Sequence, residues 1–177
     1  QRQMCIRDRV SAPVFGSELT IELAKLFVKG NNNTKKFNNF HVVDSETEIE
    51  FKDGLVSFFK TTHSIPESMG VVIGTDKGNI VYTGDFKFDQ AAREGYQTDL
   101  LRLAEIGKEG VLALLSDSAN ATSNDQIASE SEVGEEMDSV IADADGRVIV
   151  AAVASNLVRI QQVFDSAVAY GLSLIHI

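Results

Sequence analysis

The chain has 177 residues, 16 Lys+Arg against 26 Asp+Glu, a formal charge of −10 and a pI near 4.7. Its 44% hydrophobic and 24% charged residues are ordinary globular values and exclude bulk disorder, collagen and coiled coil. No apolar run reaches the roughly 18 residues of a membrane span, one cysteine cannot form an internal disulfide, and the acidic balance excludes a basic surface as the main source of nucleic-acid affinity.

Both ends look foreign. Residues 1–9, QRQMCIRDR, and 173–177, SLIHI, do not join naturally to their neighbours. They resemble translated sequencing-adapter read-through and are set aside as non-native tails. Arg2, Arg7 and Arg9 against Asp8 give the first tail +2, so residues 10–172 hold −12. Cys5 and His176 leave with the tails, and His41 and His63 remain. On this reading 10–172 is an internal piece of a longer protein.

Residues 12–15 (APVF) predict a short strand. Ser17 is placed to N-cap a helix whose Leu19, Leu23, Leu26 and Phe27 share a face, closed by Gly30 and Asn31 to Asn33. A β-rich block follows, with strands at Phe40–Val43 and Glu48–Phe51. Turns at Lys52-Asp53-Gly54 and Asp76-Lys77-Gly78 make two hairpins, the first leading into Leu55–Thr61 and the second joining Gly70–Thr75 to Asn79–Thr83. Phe58 and Phe59 read as core, one ring on each strand face.

After Asp89 the period changes. Thr98 to Gly107 predicts a helix, Val111–Leu115 a short buried strand, and the Asn- and Ser-rich stretch 119–128 a loop. Ser129 and Glu132 form a capping-box pattern for a helix to about Ala142, whose acidic run Glu130 to Asp138 reads as a solvated face. Arg147–Val153 predicts a strand, and Ser155-Asn156 starts a helix that Gly171 ends. Hairpins first and β-α alternation later predict an α/β fold with a mixed sheet.

Four places could carry chemistry. His63 lies just past a hydrophobic strand, where a neutral imidazole can bind a metal, although position alone favours a structural histidine. Asp85 follows a strand and Gly84, so a sharp turn can present it beside His63; a turn aspartate capping its own loop is the alternative. Asp117 leaves a strand at its carboxyl end, where it could orient a ligand or move a proton; its residues alone favour a loop start. Ser155 and Asn156 open a helix whose free N–H groups suit a phosphate, and Arg159 lies one turn in; plain N-capping is the favoured reading of these residues.

These patterns coincide in one family. SFFKTTHSIPESMGVVI, GNIVYTGDFKFD, LAEIGKEGVLALLSDSAN and ASNLVRIQQV, in this order and spacing, resemble ribonuclease J, of the β-CASP branch of the metallo-β-lactamase fold. The stretch APVFGSELTIELAKLFVK and the ending LLSDSANA look closer to the second paralogue, the frequently weakly active partner of the first. The resemblance implies a partial metallo-β-lactamase αββα sandwich over 10–118 and the start of a β-CASP α/β domain over 119–172. It implies that His63 and Asp85 are metal ligands, Asp85 bridging two divalent ions (zinc or manganese), and that Asp117 is the acidic residue of the first β-CASP motif, a catalytic position. Ser155, Asn156 and Arg159 fall early in the β-CASP domain and are expected to contact RNA.

The resemblance further implies 5′-to-3′ exonuclease and endonuclease action on RNA in a cytoplasmic protein with no membrane segment. It implies assembly as a homo-oligomer or as a hetero-complex with a ribonuclease J paralogue. The family's first ligand cluster, His-x-His-x-Asp-His, and its later histidine motifs are absent here. The chain alone is therefore expected to be inactive and poorly soluble. A largely non-catalytic subunit is the alternative. A small-ester or thioester hydrolase of the same fold is a third reading, which the β-CASP-like pattern of 119–172 disfavours.

Overall fold

Alternating apolar residues and tight turns build the centre of the chain into an antiparallel meander. We describe a computed structural model over residues 12–30, 37–89, 91–92, 95–119, 121–123 and 128–175. The tail 1–9, the helix stop at Asn31 to Asn33, Asn120, most of the second half of the loop 119–128 and His176 lie outside these residues.

Strands β3 (Glu48–Phe51), β4 (Gly54–Lys60), β5 (Met69–Thr75) and β6 (Gly78–Tyr82) pair antiparallel in sequence order, joined by the two expected hairpins. Helix α2 (Leu100–Glu109) then crosses over to β7 (Val111–Leu115), which pairs parallel with β6 and closes the order β3-β4-β5-β6-β7. Upstream, β1 (Val14–Gly16) and β2 (Phe40–Val42) form a separate parallel pair, connected through α1 (Glu18–Gly30). Helices α3 (Glu130–Ala142) and α4 (Leu157–Ala169) follow and pack on each other. The expected mixed α/β fold is therefore present.

The core forms on one face of the meander. Phe59, Val72 and Val81 are buried there, and α2 covers them with Ile106 and the partly buried Leu103. Each such fully buried side chain stabilises by about 1.5–3 kcal/mol. Phe59 pairs in register with Gly70, and its ring lies where a side chain at 70 would be: a Cβ on Gly70 would fall 2.1 Å from the Phe59 ring. Phe58 is also buried, as expected for a strand with a ring on each face. Asp99 caps α2 by accepting from Arg102 N–H at 2.9 Å. Ser129 and Glu132 make the expected capping box on α3.

Three expectations are corrected. Helix α1 buries Ile21 and Val28, while Leu26 and Phe27 face solvent; apolar residues occur on more than one side of this helix, and the stripe seven residues apart is the one that packs. Strand β7 forms where expected but is exposed throughout. It is the end strand of its sheet, and no described element covers its apolar side chains. Residues 147–153 form no strand. Without a neighbouring strand their backbone groups find no ladder, and Ile149 and Val153 are 83% and 72% exposed.

Candidate active site at the carboxyl edge of the sheet

The topology decides which residues meet. Strands β4 and β6 are both antiparallel to β5, and β7 is parallel to β6, so β4, β6 and β7 end at one edge of the sheet. The segments that leave this edge carry His63, Asp85 and Asp117. Carboxyl ends of strands are where ligands bind in open α/β sheets.

Main-chain pairing past the strand ends sets the geometry. Lys87 N–H donates to Thr62 C=O at 2.9 Å, an antiparallel bridge beyond the ends of β4 and β6. Buried Thr62 is fixed further: its N–H donates to Thr98 Oγ1 at 3.0 Å and its hydroxyl to Tyr96 C=O at 2.8 Å. Between β6 and the bridge the chain turns at Gly84, whose φ of 63° is a left-handed conformation that L side chains rarely adopt. The outcome is that His63 Nε2 lies 3.9 Å from Asp85 Oδ2. The His63 side chain is 31% exposed and Asp85 73%, so the pair opens to solvent. An imidazole nitrogen and a carboxylate oxygen at this separation can share a bound cation. Among the described residues no group of three or more His, Cys, Asp or Glu is arranged to hold a metal.

Asp117 reaches the same edge by a different route. Its N–H donates to Thr83 Oγ1 at 3.0 Å, and Thr83 N–H donates to Leu115 C=O at 3.1 Å, which ties the end of β7 to the end of β6. Its carboxylate accepts from Ala119 N–H at 2.9 Å and so caps its own loop. Residues 155–159 start α4. Asn156 is the cap, accepting from Arg159 N–H at 3.0 Å, and Ser155 is exposed. Val158 N–H donates to Ser64 C=O at 3.4 Å, so this helix start adjoins the His63 loop. The Arg159 guanidinium pairs with Glu130 at 2.8 Å.

Sequence reasoning missed the network behind the site. Asp89 is buried, and its two oxygens accept from Ser129 Oγ (2.7 Å) and Glu130 N–H (3.0 Å) at the start of α3. Lys87 Nζ lies 3.4 Å from Asp89 and 2.8 Å from Glu130, and Gln162 donates to Glu130 C=O at 2.6 Å. Burial is the largest influence on both carboxyls and pushes them up. Bonds from Glu130 N–H, Ser129 and Lys87 nevertheless hold Asp89 below its ordinary value, and Lys87 and Arg159 do the same for Glu130. The acidic helix face is thus only partly solvated, since Glu130 turns inward and Asp138 accepts from Ser166 Oγ. One signal was available: Lys87 and Asp89 are two apart in an extended segment, which puts them on one side.

A crystal structure of a protein of unknown function from Enterococcus faecalis V583 superposes with a TM-score of 0.67 at 15% identity, covering 87% of this chain and 39% of that one. It shares the α/β fold. No family model matches the chain.

The sequence relatives are more specific. The chain is 94% identical over 162 residues to ribonuclease J 2 of Streptococcus pyogenes serotype M3, covering 92% of this chain. It is 48% and 45% identical to ribonuclease J 2 of Staphylococcus epidermidis and Staphylococcus aureus over the same number of residues. The resemblance to ribonuclease J, and to its second paralogue, is thereby shown; the chain spans 29% of the length of these relatives. Among the described residues no helix is long and apolar enough to cross a membrane.

Proposed function

We propose that the chain supplies one half of the hydrolytic site of a ribonuclease J-type protein that cleaves RNA phosphodiesters, with His63 and Asp85 as its contribution. The 3.9 Å approach of these side chains across the Thr62–Lys87 bridge carries this reading. They were singled out from motifs separated by more than twenty residues, and they meet. The name of the relatives supports RNA as the substrate of the longer protein and hydrolysis as its reaction.

The resemblance implies two divalent ions. Two donors are fewer than the three protein ligands that a catalytic metal usually takes, so the described residues do not fit a closed metal centre. The chain alone is therefore inactive and binds metal weakly. Asp117 stands at the same edge as a proton-handling or orienting residue. Ser155, Asn156 and Arg159 remain proposed RNA contacts. A phosphate there competes with Glu130 for the guanidinium and with Asn156 for the helix N–H groups. The division into a metallo-β-lactamase part and a β-CASP part, the cytoplasmic setting, and assembly with itself or a paralogue belong to the same proposal.

The test is an assay of the purified chain on 5′-monophosphorylated RNA with Mn²⁺ or Zn²⁺. No turnover above the metal-only control is expected. Robust turnover that Asp85→Ala abolishes contradicts the half-site reading.

A further inference from the structure

The site loop is held from behind by the helix pair α3 and α4. Asp89, Lys87, Glu130 and Arg159 form a continuous ionic chain from the 85–89 segment through the first turn of α3 to α4. Lys87 occupies two roles in it. Its side chain is clasped by Asp89 and Glu130, and its main chain makes the bridge to Thr62 that brings His63 and Asp85 together. The other arm of the clamp is the Val158 N–H to Ser64 C=O bond beside His63.

We infer that Asp89 is a positioning residue: by seating the start of α3 and the Lys87 ammonium, it fixes the bridge that holds Asp85 against His63. The inference rests on the proposed hydrolytic site for its purpose but not for its geometry.

Several facts make the coupling specific. Asp89 is 8% exposed, and among the described residues the partners of its carboxylate lie in 87–91 or at the start of α3. Both of its oxygens are satisfied by donors, as a buried carboxylate requires. Removing one member of such a network leaves its partners buried and unpaired, which is costly for a charge. With Asp89 neutralised, Lys87 retains among the described residues only Glu130, which is also shared with Arg159.

The experiment uses the whole chain in a Cys5→Ser background, free of RNA and metal, so that its result is independent of the nuclease reading. His63→Cys with Asp85→Cys supplies one reporter pair. Glu50→Cys with Leu55→Cys, register partners in the β3–β4 hairpin, supplies a control pair. Closure by a short bifunctional thiol reagent reports the effective concentration of the second thiol. Asp89→Asn is expected to slow closure of the 63/85 pair by about tenfold while leaving the 50/55 pair unchanged. General destabilisation would slow both pairs alike. If Asp89→Asn does not fold, Lys87→Met is expected to slow only the 63/85 pair and Lys87→Arg to restore it. Equal closure of the 63/85 pair with and without these substitutions, or equal slowing of both pairs, overturns the inference.

Discussion

At Asp89 and Glu130 the same contacts that lower the carboxyl pKa values tie stability to pH. Their ordinary values are 3.8 and 4.5, and both are lower in the folded chain. A depressed folded pKa means that the unfolded chain takes up the proton first as pH falls. Their contribution is therefore fully present above the ordinary values and is lost as pH drops through the folded ones. Urea midpoints should lose this contribution only below about pH 5, and Glu130→Gln should make the acid loss smaller. An acid slope identical in the variant would show that Glu130 takes no part. Gly70 offers a packing test at the same scale. Gly70→Ala drives a Cβ into the Phe59 ring and should destabilise the chain by about 1–3 kcal/mol in chemical denaturation, the usual cost of overpacking.

Local signals of element identity were legible where neighbours in sequence are also neighbours in space. Both hairpins have their turn residues between the strands they join, and the α3 capping box needs only Ser129 and Glu132. Cap truncations should follow the same local rule. Asn156→Ala at α4 should cost about 0.5–2 kcal/mol, measured by thermal or urea unfolding. Ser129→Ala should fall at or above the top of that range, because its hydroxyl also donates to Asp89. Burial was less legible. The apolar sequence of β7 suits a strand covered on both faces, and Arg147–Val153 has strand composition, but covering and pairing depend on distant segments. The same limit hid the Lys87–Glu130–Arg159 chain, whose members are separated by 43 and 29 residues. The approach of Asp85 to His63 was legible because each follows a strand and a sharp turn at Gly84 can present one beside the other; the strand order explains why they meet.

For the whole molecule, the exposed edge matters as much as the site. Strand β7 ends the sheet with Val111, Leu112, Leu114 and Leu115 all exposed, and Ile149, Val150 and Val153 add further apolar surface. Uncovered apolar edges template association. The isolated chain should self-associate with rising concentration in light scattering, and Leu112→Lys with Leu114→Lys should suppress it. Monodisperse behaviour of the unaltered chain at high concentration would contradict that view of the edge.

The central claim is that His63 and Asp85 belong to one hydrolytic centre completed by residues of a longer protein. It is tested by placing this segment in the Streptococcus pyogenes ribonuclease J 2 context and measuring cleavage of 5′-monophosphorylated RNA. The expected result is measurable cleavage, reduced by about 100-fold or more when either His63→Ala or Asp85→Ala is introduced, a loss of at least about 2.7 kcal/mol in transition-state stabilisation. Cleavage that survives both substitutions contradicts the claim. Absence of cleavage before any substitution also contradicts it, and leaves the non-catalytic partner role in its place.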